Sequence, residues 1–153
     1  MRKAWCQLFE NDDHLLFGSH RTTTTDTSAL HPEPVQIFRL WQIFLENVNP
    51  LLKVIHTPSF QGCIIEAASN ISSTKPALEA LMFSIYCMSI FSISVEDCQA
   101  IFGSSKEDLL GKYQLGCRQA LSKCGFLRCN DRDCLTALYL YLVSILSNSS
   151  KNF

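Results

Sequence analysis

The sequence predicts an all-α fold: an irregular multi-helix domain of about five to six helices, preceded by a flexible N-terminal linker. Three observations carry this. Apolar residues recur at three- and four-residue spacing in every long segment. No segment alternates apolar and polar residues at period two, as a half-buried strand would. Helix-start residues (Ser, Thr, Asp) precede the periodic runs and glycines follow several of them.

Residues 1–14 hold Trp5, Leu8 and Phe9 in a short amphipathic run that ends at Asn11-Asp12-Asp13-His14. Leu15-Leu16-Phe17-Gly18 leads into the tract SHRTTTTDTS. Thr, Ser and Asp without apolar anchors cannot offset the entropy of ordering, so a mobile linker is predicted over 18–31, a tether whose hydroxyls are also open to phosphorylation. The expected division is 1–31 as N-terminal segment and linker, and 32–153 as the folded domain. His31-Pro32-Glu33-Pro34 delivers the chain rigidly to the first core helix.

In that helix Ile37, Trp41, Phe44, Leu45 and Val48 share one face, with Arg39, Gln42, Glu46 and Asn49 opposite. Trp41 lies on the apolar stripe and reads as a core anchor. Pro50 has no amide donor and disfavours the α region at Asn49, which predicts a helix end there and an extended run over 51–55. Thr57 is positioned to cap the next helix, with Pro58 in its first turn. Ile64, Ile65, Ala67, Ala68 and Ile71 continue that helix towards a loop over 70–74. Pro76 then suits the first turn of a long run in which 80–95 carries no charge. Sixteen residues fall short of the roughly 20 that span a bilayer, and Ser84, Ser89, Ser92 and Ser94 interrupt them, so the prediction is a buried central helix.

Ser94 and Asp97 have capping-box spacing, and Gly103 closes the helix they start. Ser104 and Glu107 repeat the pattern for the next helix, with Glu107 and Asp108 favourable at its positive end. Its predicted buried stripe is Leu110, Tyr113, Cys117, Leu121 and Cys124, with Lys112, Arg118, Gln119, Ser122 and Lys123 off it. Gly111 and Gly116 inside it predict a close neighbouring helix, and Gly125 ends it. Asn130 and Asp133 start the last helix, from Asp131 to about Leu146. Between Cys134 and Leu146 only Thr136 and Ser144 are polar, so this helix needs cover on all sides, and Tyr139, Tyr141 and Leu142 are expected in an exposed patch.

Composition excludes several functions. Hydrophobic residues make up 47% and charged residues 18%, below the roughly 25% of a typical soluble domain, which predicts surface meant for burial against a partner. Thirteen Lys and Arg against fourteen Asp and Glu give a net charge of −1, with no basic stripe to hold phosphates. None of the eight cysteines pairs with another at two-residue spacing, so a zinc ribbon or cluster is not encoded, and the thiols read as small core hydrophobes. A secretory leader is not seen, and the reading is intracellular and reduced. There is no G-x-S-x-G, P-loop, dinucleotide-binding glycine pattern or metal-spaced histidine pair. His56 and Cys63 are the nearest approach to a nucleophile and base, and no carboxylate is placed to orient them.

The string LWQIFLENVNP at 40–50, followed by His56-Thr57-Pro58, resembles the opening of the regulatory, or middle homology, region of fungal transcription factors with an N-terminal binuclear zinc cluster. FGSSKEDLLGKYQLGCRQALSKCGFLRCNDRDCLTALYLYL is similar to a second block of that region, so the resemblance covers about 15–147. It implies a non-enzymatic, nuclear regulatory domain, truncated at both ends, with helices packed around the Trp41 helix that restrain or relay activity elsewhere in the factor. Trp41, Asn47, Asn49, Pro50, His56 and Pro58 match as structural motif positions, and no catalytic, cofactor-binding or metal-ligating residue carries over. The implied cofactor, zinc, belongs to the family's N-terminal cluster, which is also the implied route to DNA. Implied partners are the remaining parts of the factor or other proteins, reached through the apolar last helix, and a small-molecule inducer. The competing reading is a small helical membrane- or lipid-associated protein built on 80–95 and 135–146.

Overall fold

The computed structural model describes residues 27–125 and 131–150, and they form an all-α domain. A 3-10 turn, Thr27–Leu30, leads to α1 (Pro34–Ile43), which runs through a π-helical turn (Phe44–Val48) into the short α2 (Asn49–Leu52). α3 (Thr57–Ser69) and a 3-10 turn (Ile71–Ser73) precede α4 (Pro76–Ser92), followed by α5 (Val95–Phe102), α6 (Lys106–Cys124) and α7 (Arg132–Ser150). No strand occurs among the described residues.

The centre is α4, not the Trp41 helix. Every residue from 79 to 90 is buried. α6 and α7 pack most extensively against it, and α1 and the π turn also contact it. Burying a side chain the size of Phe83, Tyr86 or Leu81 contributes about 1.5–3 kcal/mol, so α4 anchors the hydrophobic core although it has no polar face. Two of its serines, Ser84 and Ser89, turn inward. Ser84 donates to the Leu81 carbonyl at 2.7 Å, and the Ser89 hydroxyl lies 2.8 Å from the carbonyls of both Leu40 and Ile85, tying α1 to α4. Among the described residues no helix is long and apolar enough to cross a membrane.

Several local expectations hold. Ser94 Oγ accepts the Asp97 amide at 3.1 Å, and α5 and α6 end at Gly103 and Gly125 in the left-handed region. Leu110, Tyr113, Cys117 and Leu121 are buried, with Cys124 half-buried. Gly116 marks a close approach: a Cβ there would lie 2.5 Å from the Phe83 ring, whereas one on Gly111 would meet nothing within 4 Å.

Other details differ. Helix continues through Pro50 to Leu52, and Lys53 turns it off at φ 45°, so 51–55 is not an extended run. A π-helical turn over Phe44–Val48 precedes Asn49-Pro50; the Asn49 amide bonds the Phe44 carbonyl and Asn49 stays α-helical, so Pro50 enters in the first turn of α2, where no amide donor is needed. Thr57 is the first residue of α3 rather than its cap. His56 holds the cap position, and Thr57 Oγ1 accepts from Asn49 Nδ2 at 3.5 Å. Ser105, not Ser104, caps α6 by accepting the Asp108 amide, while the Ser104 carbonyl accepts the Cys98 thiol. α7 begins at Arg132, where the Asp131 carboxylate accepts the Asp133 amide at 2.9 Å, and it runs to Ser150. The end of the expected linker, 27–31, packs onto the core. The rest of that linker, the Trp5 run, Cys6, Cys129 and Asn130 lie outside the described residues.

Candidate regulatory interface

The matched motif positions have individual structural roles. The Trp41 indole is buried, stacked 5.8 Å from Phe44 and tilted 5.4 Å from Phe60. Its Nε1 is buried without a hydrogen-bond acceptor among the described residues. Asn47 Nδ2 donates to Ser92 Oγ at 3.1 Å, joining the π turn to the end of α4, and Asn49 reaches α3 through Thr57. Pro50 and Pro58 are exposed in the first turns of α2 and α3. His56 Nδ1 pairs with Ser59 Oγ at 2.8 Å, and Cys63 contacts the Ser59 carbonyl. These are local contacts at the start of α3, and among the described residues no carboxylate is paired with His56.

α7 exposes four large apolar side chains among the described residues. Cys134, Ala137, Leu140, Tyr141 and Ser144 face the core. On the other side Leu135 (55% exposed), Tyr139 (46%), Leu142 (37%) and Leu146 (68%) stand at four-, three- and four-residue intervals. That spacing makes one continuous apolar stripe, the seam a helix offers to another helix. Ser144, expected on a polar side, is instead buried and donates to the Tyr141 carbonyl at 2.7 Å, and Tyr141 is buried rather than exposed. Burial also raises the Tyr141 phenol.

Two adjoining clefts lie between α3, α4 and the start of α7, of about 400 and 350 Å³, sharing Cys63 and Asp133. Glu66, Lys75 and Asp131 line the first, and His56, Phe60 and Arg132 the second. Burial, then the neighbouring Asp131, raises the Asp133 carboxyl. No group of three or more potential metal ligands occurs among the described residues.

A buried polar latch that the local sequence pattern does not announce secures residues 27–31. The His31 ring lies tilted against Phe83, centroids 4.2 Å apart, with Nδ1 3.2 Å from the Tyr86 hydroxyl and Nε2 3.4 Å from Glu79 Oε1. Lys123 Nζ donates to Thr27 Oγ1 at 3.1 Å. Burial works to raise the Glu79 carboxyl, but hydrogen bonds from His31 and Thr27 and the charges of His31 and Lys123 outweigh it and hold it below its ordinary value. The signal in the sequence was the single charge, Glu79, in an otherwise apolar helix.

The comparisons agree with the motif. Transcriptional regulator AacuB of Aspergillus aculeatus is 59% identical over 147 residues, covering 95% of this chain and 20% of the relative. Transcriptional regulator nsrM of Aspergillus novofumigatus is 54% identical over 89% of this chain and 19% of the relative. A third relative, C6 finger domain transcription factor adaR of Aspergillus niger, is 32% identical over 76% of the chain and 15% of its own length. By sequence this chain belongs with the fungal C6 zinc-cluster transcription factors. The chain spans about a fifth of the length of the first relatives. No family model and no solved structure matches it.

Proposed function

We propose that this chain is a regulatory, non-enzymatic part of a fungal nuclear transcription factor that controls a biosynthetic gene cluster. The observation that carries this is 59% identity over 95% of the chain to a transcriptional regulator. The gene-cluster assignment is supported by two relatives' names: Pyriculol/pyriculariol biosynthesis cluster transcription factor 1 of Pyricularia oryzae and Aurofusarin cluster transcription factor aurR2 of Gibberella zeae, 40% and 39% identical. DNA contact and zinc belong, in this reading, to a cluster outside this chain, whose net charge of −1 offers few phosphate partners. The chain acts through protein contacts. The Leu135, Tyr139, Leu142 and Leu146 stripe docks other helices of the same regulator, and a small-molecule inducer occupies the paired cleft beside Cys63 and Asp133. The test is disruption of the coding sequence followed by transcript measurement. The expected result is coordinate loss, or coordinate derepression, of a contiguous set of biosynthetic genes. An unchanged transcript profile under conditions in which the gene is expressed would reject the reading.

A further inference from the structure

Six cysteines lie among the described residues, and two of them meet. The sulfurs of Cys124, at the end of α6, and Cys134, in the first turn of α7, are 3.1 Å apart. A disulfide of about 2.0 Å would require roughly 1 Å of approach between them. Cys134 is buried, while Cys124 is half-buried and within reach of a small reagent. The remaining thiols are placed differently. Cys63 is exposed on α3, with its sulfur against a backbone carbonyl. Cys87, Cys98 and Cys117 are buried, and desolvation raises all three, which disfavours their reactive thiolates.

We propose that Cys124 and Cys134 form a redox modification site, a dithiol that a low-molecular-weight disulfide such as oxidised glutathione closes into a bridge between α6 and α7. Cys124 loses its proton to solvent and its thiolate attacks one glutathione sulfur. A mixed disulfide forms, the glutathione S–S bond breaks, and one glutathione leaves as a thiolate that takes up a proton. Cys134 then attacks the Cys124 sulfur, its proton passing to the departing glutathione sulfur. The Cys124–Cys134 bond forms, the bond to glutathione breaks, and the second glutathione leaves as a thiol. Two electrons pass from the protein to the small disulfide, and no further oxidant is needed. The second step is intramolecular between sulfurs already in contact, so its effective concentration far exceeds that of glutathione competing for the mixed disulfide. The bridge fixes the first turn of α7, the helix that carries the exposed stripe. That consequence rests on the function proposed above, but the bridge itself does not.

The test is equilibration of the purified chain in glutathione buffers from fully reduced to fully oxidised, acid quenching, alkylation, and peptide mapping without reduction. The expected product is a Cys124–Cys134 linked peptide pair, with Cys63 carried as a mixed disulfide and Cys87 and Cys117 alkylated only after denaturation. In Cys134→Ala the mixed disulfide on Cys124 should rise at least about tenfold over the unmodified chain. Mapping of the unmodified chain decides the matter even if that variant folds poorly. Three results would overturn the proposal: no bridge, a bridge from either residue to another cysteine, or a stable mixed disulfide on Cys124 with Cys134 still a thiol.

Discussion

Gly116 of α6 faces the flat ring of Phe83 of α4, and a Cβ on the glycine would lie 2.5–2.7 Å from three ring carbons. Phe83 is fully buried and has nowhere to retreat. Gly116→Ala should therefore destabilise the domain by about 1–2 kcal/mol, because overpacking outweighs alanine's better helix propensity. Gly111, in the same helix and exposed, is the control. Gly111→Ala should stabilise by about 0.5–1 kcal/mol. Urea unfolding midpoints of the two variants should move in opposite directions.

Lys53 ends α2 in the left-handed region, at φ 45° and ψ 40°, with its side chain exposed. A Cβ is unfavourable there, and glycine is the ordinary occupant of such a position. Lys53→Gly should raise stability by about 0.5–1 kcal/mol, read as a higher denaturation midpoint at unchanged helicity. A loss of stability would mean that the helix does not close there.

The latch on residues 27–31 gives a pH dependence whose sign is fixed. Glu79 titrates below its ordinary value in the folded state. Its contribution is therefore fully present above the unfolded carboxyl value, about 4.3, and is lost as pH falls through the lower folded value. Denaturation midpoints measured between pH 7 and pH 3 should fall less steeply for Glu79→Gln than for the unmodified chain. Equal slopes would show that the carboxylate is not held by His31, Thr27 and Lys123.

The α7 stripe should make the chain associate with itself when nothing else covers it. Light scattering at tens of micromolar is expected to show oligomers, and Leu135→Glu with Leu146→Glu should return them to monomer while leaving the helical circular dichroism intact. Adding the regulator's neighbouring sequence should have the same effect. A stable monomer without dye-binding apolar surface would remove the case for a docking seam.

Local signals in the sequence were sufficient wherever the structure answers to local forces. Ser94, Gly103 and Gly125 are caps because of what their immediate neighbours lack, and the uncharged run from 80 announces a helix that is buried on every side as far as residue 90. Pro50 misled because its usual effect presumes a regular helix before it, and a π turn is not visible in apolar spacing. Ser104 and Ser105 each precede an acidic residue by three positions, so the local pattern cannot choose between them. The packing of Cys98 against the Ser104 carbonyl accompanies the choice of Ser105. The His31–Glu79 and Cys124–Cys134 pairs were missed for a different reason. Each joins residues that periodicity treats separately, and only the packing of α4, α6 and α7 brings them together.

The burial of α4 also has a consequence during synthesis. Ser92 is added to the growing chain before α6 and α7 have been made, and roughly 60 more residues must be added before α7 is complete. At about 5–20 residues per second this helix waits some 3–12 s without its covers. During that interval it is a naked apolar segment of the kind chaperones hold, and premature termination ahead of α7 would leave it so permanently.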